Sequence, residues 1–278
     1  MPFPLSYPGL LCVLEHLEAV KRAHIIGRSP GHQKIDKLIP LCLENLHIGK
    51  SELVINKLWI TCEKDEVNLK MKRKTFSRQI SESQEDKMKK LAHFWISGRS
   101  KIYVDRLRWF CSLPPGFLPV DLKFRVNSLN AFCDLGAAIP YIDPRSFPLK
   151  TVATTLKSST LFDNQVVKFA ETLILNLIHH RNVTVEDLKK LENKTVMIKS
   201  FWDFIIDIIL LIEYHIETQK DIRTTFVIST GLPKFSIPIN NETRIRVYAI
   251  DDSEEDCPYK KYFPYKIIVK PVSIVSGL

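Results

Sequence analysis

Between Lys64 and Arg108 the chain carries thirteen Lys or Arg against six Asp or Glu, an excess of seven within a formal net charge of +9. Phe76, Phe94, Trp95, Tyr103 and Trp109 are interleaved with these charges. Cations that neutralise phosphates, with aromatic rings that stack on bases, can form a groove for single-stranded nucleic acid. Lys70, Lys72, Arg73, Lys74 and Arg78 are the densest cluster of such cations. The same residues also fit a solvated helix and hairpin whose aromatics face inward. Phe94 and Trp95 sit within an otherwise apolar helical turn, which favours the inward arrangement and makes nucleic acid the less favoured partner. An acidic protein surface fits the charge count equally well.

Other reactive residue types lack the spacing that their chemistry needs. Gly49-Lys50-Ser51 ends like a phosphate-binding loop, but position 44, where that loop needs glycine, is Glu. A tight turn is the better reading. His179 and His180 are adjacent, so their side chains diverge on any regular element, and no thiol or carboxylate stands at ligand spacing. The six cysteines (Cys12, Cys42, Cys62, Cys111, Cys133, Cys257) form no C-x-x-C pair and read as free thiols of a reducing compartment. Asn182, Asn193 and Asn241 each begin an Asn-x-Thr triplet, taken as chance matches where no secretory signal is visible. No nucleophile is paired with a base in any recognisable motif. The expectation is a chain with no catalytic residues, no metal and no cofactor.

Apolar residues make up 45% of the chain and charged residues 26%, the balance of a folded protein. The longest apolar run, "FWDFIIDIILLIEYHI" from Phe201 to Ile216, is interrupted by Asp203, Asp207 and Glu213. A membrane span needs about 20 mostly apolar residues, so this run predicts a buried helix and an intracellular protein, cytoplasmic or nuclear, with no membrane partner.

From Pro8 to about Ile39 the pattern is helical. With Leu10 at zero on a wheel, Val20, Val13, Leu17, Leu10 and Leu14 fill one arc of roughly 120°, the width of a single buried face, and Leu11 falls beyond it. Pro30 breaks the second helix and Ser29 caps a short third one. Burial of these few apolar side chains is too little to offset the backbone entropy of ordering the segment. It must therefore pack on the rest of the chain, on a partner, or on both.

After Leu41 the period shortens to two. "LCLENLHI" and "ELVINKLWI" read as two strands around Gly49-Lys50-Ser51, "DEVNLKMK" as a third, Thr75 to Ile96 as a helix with an i,i+4 pair of Glu85 and Lys89, and "KIYVDRLRWF" as a strand again. Strand-like runs then recur from Leu122, Pro148, Ala170, Lys194 and Thr224, at steps of 26, 22, 24 and 30 residues. Helical stretches fall between them: "DNQVVKFA", "TVEDLKKLE" with Thr184 as cap, and the run after Phe201. One strand and one helix per 20 to 29 residues is the arithmetic of a leucine-rich-repeat solenoid, and an irregular α/β domain with a short parallel sheet is the alternative. "KFSIPINNETRIRVYAI" and "YKIIVKPVSIV" add three C-terminal strands. The fold class expected is α+β. A helical module over 1–40 precedes a leucine-rich-repeat-like or irregular α/β domain over 41–278.

"PLSYPGLLCVLEHLEAVKRAHIIGRSP" followed by "KIDKLIPLCLENLHI" resembles the opening of a large, nematode-expanded family that joins an F-box-like start to a C-terminal domain of unknown function. "GRSKIYVDRLRW", "FLPVDLKFRVNSLNAF" and "IDPRSFPLK" resemble further blocks of that family. The resemblance implies an F-box-like substrate adaptor of a cullin-based ubiquitin ligase. Pro8, Leu11, Leu14, Leu17, Ile25 and Ile26 would bind a Skp1-type adaptor, and the C-terminal region would select an unknown protein substrate. Pro30-Gly31 stands where an F-box carries tryptophan after its serine, here Ser29.

Overall fold

The computed structural model describes residues 7–177, 183–200, 214, 225–229, 235–238, 243–251 and 265–273. The chain divides into two compact units, Met1–Ser146 and Phe147–Leu278. The fold is α+β: short N-terminal helices, then mixed sheet with interspersed helices.

The first unit begins with α1 (Tyr7–His16), α2 (Ala19–Arg28) and α3 (Gln33–Leu38), the last preceded by a 3-10 turn at Pro30–His32. The break between α1 and α2 falls at Glu18, whose carboxylate accepts the Val20 and Lys21 N–H groups and caps α2. That break removes Val20 from the face assigned to the first helix. Leu14, Ile26 and Ile39 form a small core, with Leu10, Leu11, Leu17 and Ile35 packed around it. Leu11 therefore joins the buried side, while Val13 stays 44% exposed. Ser29 ends α2 through its backbone, and α3 has no side-chain cap, contrary to the expectation for Ser29.

β1 (Leu41–Ile48), β2 (Glu52–Ile55), β3 (Leu58–Cys62), β4 (Glu66–Met71) and β5 (Lys74–Gln79) follow, each antiparallel to the next. "ELVINKLWI" is thus two strands. Its hidden turn is Asn56-Lys57, with Asn56 at φ 53°, a conformation asparagine tolerates better than most residues. Thr75 to Gln79 is strand where helix was expected. The turn at Lys72-Arg73 carries no glycine, asparagine or proline to announce it, although Lys72 sits at φ 54°. The helix α4 (Gln84–Trp95) begins later, where Ser83 Oγ accepts the Asp86 N–H and Glu85 and Asp86 occupy the first turn. Its Glu85–Lys89 pair forms at 3.0 Å.

β6 (Ile102–Trp109) lies parallel to β1, and β7 (Arg125–Ala131) parallel to β6; α5 (Leu135–Ala138) follows. The sheet order of this unit is β7-β6-β1-β2-β3-β4-β5. In the second unit β8 (Thr151–Leu156), β9 (Thr172–Leu177), β10 (Thr195–Ser200) and β11 (Thr225–Ser229) are successive parallel neighbours, with α6 (Gln165–Lys168) and α7 (Val185–Lys189) on the connections. Thr184 caps α7, as the sequence predicts, and Asp187 completes a reciprocal capping box with it. β12 (Phe235–Pro238), β13 (Thr243–Asp251) and β14 (Tyr265–Ser273) complete the order β8-β9-β10-β11-β14-β13-β12. The helix expected after Phe201 lies outside the described residues except for Tyr214, which is buried.

The parallel strands share one burial rule. Leu43, Leu46 and Ile48 on β1 point inward at intervals of three and two residues, and so do Val104, Leu107 and Trp109, and Val126, Leu129 and Ala131. Leu149, Val152 and Thr154, and Ala170, Leu173 and Leu175, are buried at the same spacing in the second unit, where Ala153, Thr155 and Leu156 of β8 are buried as well. Each set is in register with its neighbour within its own unit. The inward positions thus follow an L-x-x-L-x-L spacing even where leucine is replaced.

Candidate functional site

Three surfaces of the first unit gather residues singled out in the sequence. The first is the helical module. Leu14 and Ile26 are buried, Leu11 and Leu17 are half-buried, and Pro8 is exposed. Ile25 remains 40% exposed and Leu38 70%.

What holds the module to the body is ionic. Arg22 Nε lies 2.5 Å from Asp36 Oδ1, and Arg99, from the turn after α4, bonds Asp36 Oδ2. All three side chains are buried. The guanidinium of Arg22 also donates to the Pro40 carbonyl at 3.2 Å, and that of Arg99 to the Asp36 carbonyl at 2.8 Å. Lys37 donates to the carbonyls of His93, Phe94 and Ser97 at 2.7–2.9 Å, closing the C-terminus of α4. Burial, reinforced by Arg99, lowers the Lys37 ammonium to about 8. Glu18, already the cap of α2, accepts from Asn56 Nδ2 at 2.5 Å and ties the module to the β2–β3 turn. None of these ties was visible in the sequence, because each joins residues more than fifteen positions apart or groups that read as surface charge.

The second surface is the ribbon formed by β4 and β5. Every residue of β5 is exposed, so neither of its faces is covered. Lys70, Lys72, Arg73, Lys74 and Arg78, the basic cluster of the sequence, all lie here and are exposed. None of them has an ion-pair or side-chain hydrogen-bond partner among the described residues. Of the interleaved aromatics, Trp95 and Trp109 are buried, Phe94 and Tyr103 are half-buried, and Phe76 is 64% exposed. These aromatics therefore form no exposed stacking row, although Trp59, outside the 64–108 stretch, is exposed beside Lys70.

The third is a cleft of about 530 Å3 at the N-terminal ends of β6 and β7, lined by Lys101, Tyr103, Lys123, Arg125, Asp143 and Arg145 among others. Most of its charge is already engaged. Arg99 belongs to the Asp36 pair, Lys123 donates to the Pro140 carbonyl, and Arg145 bonds Asp143 through two nitrogens. That hydrogen bonding holds the Asp143 carboxyl down at about 2. Among the described residues this leaves Lys101, Asp121 and Arg125, with Arg125 lying over the Tyr103 ring at 5.9 Å. Ligand crevices of open parallel sheets form at the carboxyl ends of the strands, and this cleft is at the opposite end.

The remaining candidates resolve simply. Gly49-Lys50-Ser51 is the β1–β2 turn: Gly49 N–H donates to the Glu52 carbonyl at 2.9 Å. A Cβ at Gly49 would meet Glu52 Cγ at 2.6 Å, so glycine is what lets the Glu52 carboxylate reach back to His47 Nε2 at 2.8 Å. Burial lowers the His47 pKa against that pull. The five described cysteines are free, and burial pushes the Cys111 thiol up to about 11. Asn193 is buried, and its amide donates to the Val167 and Ala170 carbonyls, a structural role in keeping with a chance triplet. His179, His180 and the other two triplets' asparagines fall outside the described residues. Among the described residues no three metal-ligand side chains converge, and no helix is long and apolar enough to cross a membrane.

A family model described as a domain of unknown function (DUF3557) matches residues 83–231, more than half of the chain. The chain belongs to that family. The match takes in α4 and every residue of the cleft; the helical module and β1–β5 precede it. No curated protein and no solved structure matches the chain.

Proposed function

We propose that this member of the family is a non-catalytic interaction protein, with an F-box-like helical module carried on a leucine-rich-repeat-like body and serving as a substrate adaptor of a cullin-based ubiquitin ligase. The observation that carries this reading is the division of labour within the module. Leu14 and Ile26 seal its interior, while Pro8, Val13, Ile25 and Leu38 are left in solvent on helices anchored by buried ion pairs. An apolar surface held on an anchored support suits docking by a second polypeptide. Successive parallel strands with a shared L-x-x-L-x-L burial frame favour the repeat-like description of the body.

The test is co-purification of the full chain with a Skp1-type adaptor. Val13→Asp combined with Ile25→Asp should abolish association and leave stability within about 0.5 kcal/mol, because both side chains are already exposed. If the wild-type chain fails to associate, the adaptor reading falls. Leu14→Asp is a poor probe, since it would place a charge in the module's core.

A further inference from the structure

We propose that the open edge of β5 is a second docking site, independent of the helical module, which takes an extended acidic segment of a partner protein as an added β-strand. The backbone fixes which groups are available. Met71 and Lys74 flank the two-residue turn, and Ile80 N–H donates to the Asp65 carbonyl at 2.9 Å. The even-numbered residues of β5 therefore bond to β4, and Thr75, Ser77 and Gln79 turn their N–H and C=O groups to the open side. β5 is the last strand in its sheet, so among the described residues these groups meet no neighbouring strand.

Side chains specify the occupant. Across the sheet, Leu53, Ile60, Leu69 and Phe76 form one row on the face that α4 covers at β3. Leu53 and Ile60 are fully buried, Leu69 is half-buried, and Phe76 is 64% exposed. The apolar face thus runs out past its own cover. Lys74 and Arg78 flank Phe76 on that face, both exposed and without an anionic partner among the described residues. A strand laid beside β5 brings its own alternate side chains against these three. The matching sequence is acid-x-apolar-x-acid: a carboxylate for each cation and an apolar side chain for Phe76. Lys70, Lys72 and Arg73 add a field that draws in an anionic segment. A nucleic-acid strand could use the charge but not the row of outward amides, so backbone dependence separates the two.

The probe is the heptapeptide Thr-Glu-Thr-Val-Thr-Glu-Thr, acetylated and amidated, titrated into the full-length chain with backbone amide shifts as readout. Binding should perturb Thr75, Ser77 and Gln79. Affinity should fall at least tenfold when lysine replaces both glutamates of the probe, and at least tenfold when the probe's alternate amides are N-methylated. Ser77→Pro should cause a similar loss, since it removes an outward N–H without touching the β4 ladder. Lys74→Glu with Arg78→Glu gives a second route that leaves the backbone intact. The proposal is overturned if the wild-type chain does not bind the probe, or if binding survives both Ser77→Pro and N-methylation. It is equally overturned if a ten-nucleotide thymidine strand binds the ribbon more tightly than the peptide.

Discussion

The helical module and the β4–β5 ribbon are built from the same residue types, cations beside large apolar side chains, and use them in opposite ways. In the module Arg22 and Asp36 are buried with Arg99, Lys37 is bonded to three carbonyls, and Leu14 is fully covered. On the ribbon Lys70, Lys74 and Arg78 meet no counterion among the described residues, and Phe76 is exposed. The difference follows from neighbours. The helix α2 lies against β1, α1 against α3, and α3 is tied to the end of α4 through Lys37, whereas among the described residues β5 has a strand on one side only. A charge that reads as surface in the sequence can therefore be structural glue, and one that looks like part of a solvated helix can be an unpaired edge.

Substitutions break this comparison most forcefully at Asp36. Asp36→Ala leaves two buried guanidiniums facing each other without their anion, and should cost about 3–5 kcal/mol by equilibrium denaturation. Leu14→Ala opens a cavity between α1, α2 and the Ile39 entry to β1, with an expected loss of about 2–4 kcal/mol in the same assay. Deleting residues 1–40 is consequently not a neutral way to test partner binding, since it strips Arg99 and the end of α4 of their partners.

Lys37 sharpens the comparison through pH. Burial and Arg99 bring its folded pKa to about 8 from an ordinary 10.5. The folded chain gives up this proton before the unfolded chain does, so the penalty is complete below about pH 8 and is relieved as pH rises toward 10.5. Wild type should gain on Lys37→Met across that interval by about 1 kcal/mol, a discounted figure because the ammonium is only half-buried. The smallest effect belongs to the ribbon: Phe76→Ala should change stability by less than about 0.5 kcal/mol.

Legibility in the sequence followed the range of the interaction. β1, the GKS turn, the Thr184 cap and the C-terminal strands were readable because alternation, a glycine or a threonine ahead of a helical run announces each locally. β5 was not, since "KMKRKTFSRQ" has no turn residue and its charges fit a helix as well as a strand. The recurrence of strands through the middle of the chain was readable, but which residues they bury was not, because Val, Ala, Thr and Trp share those positions with leucine. Of the candidate sites, the basic cluster could be counted in the sequence, while its place on an exposed ribbon, Trp59 beside it and the Arg22–Asp36–Arg99 triad depend on pairings that no local pattern carries.

Hydrogen exchange of the free full-length chain measures both surfaces in one experiment. Amides of α2 and α3 should exchange only with unfolding of the first unit, slowed by orders of magnitude, while Thr75, Ser77 and Gln79 should exchange at nearly the rate of an unstructured peptide. Fast exchange across residues 19–38 together with protection of those three amides would contradict the account.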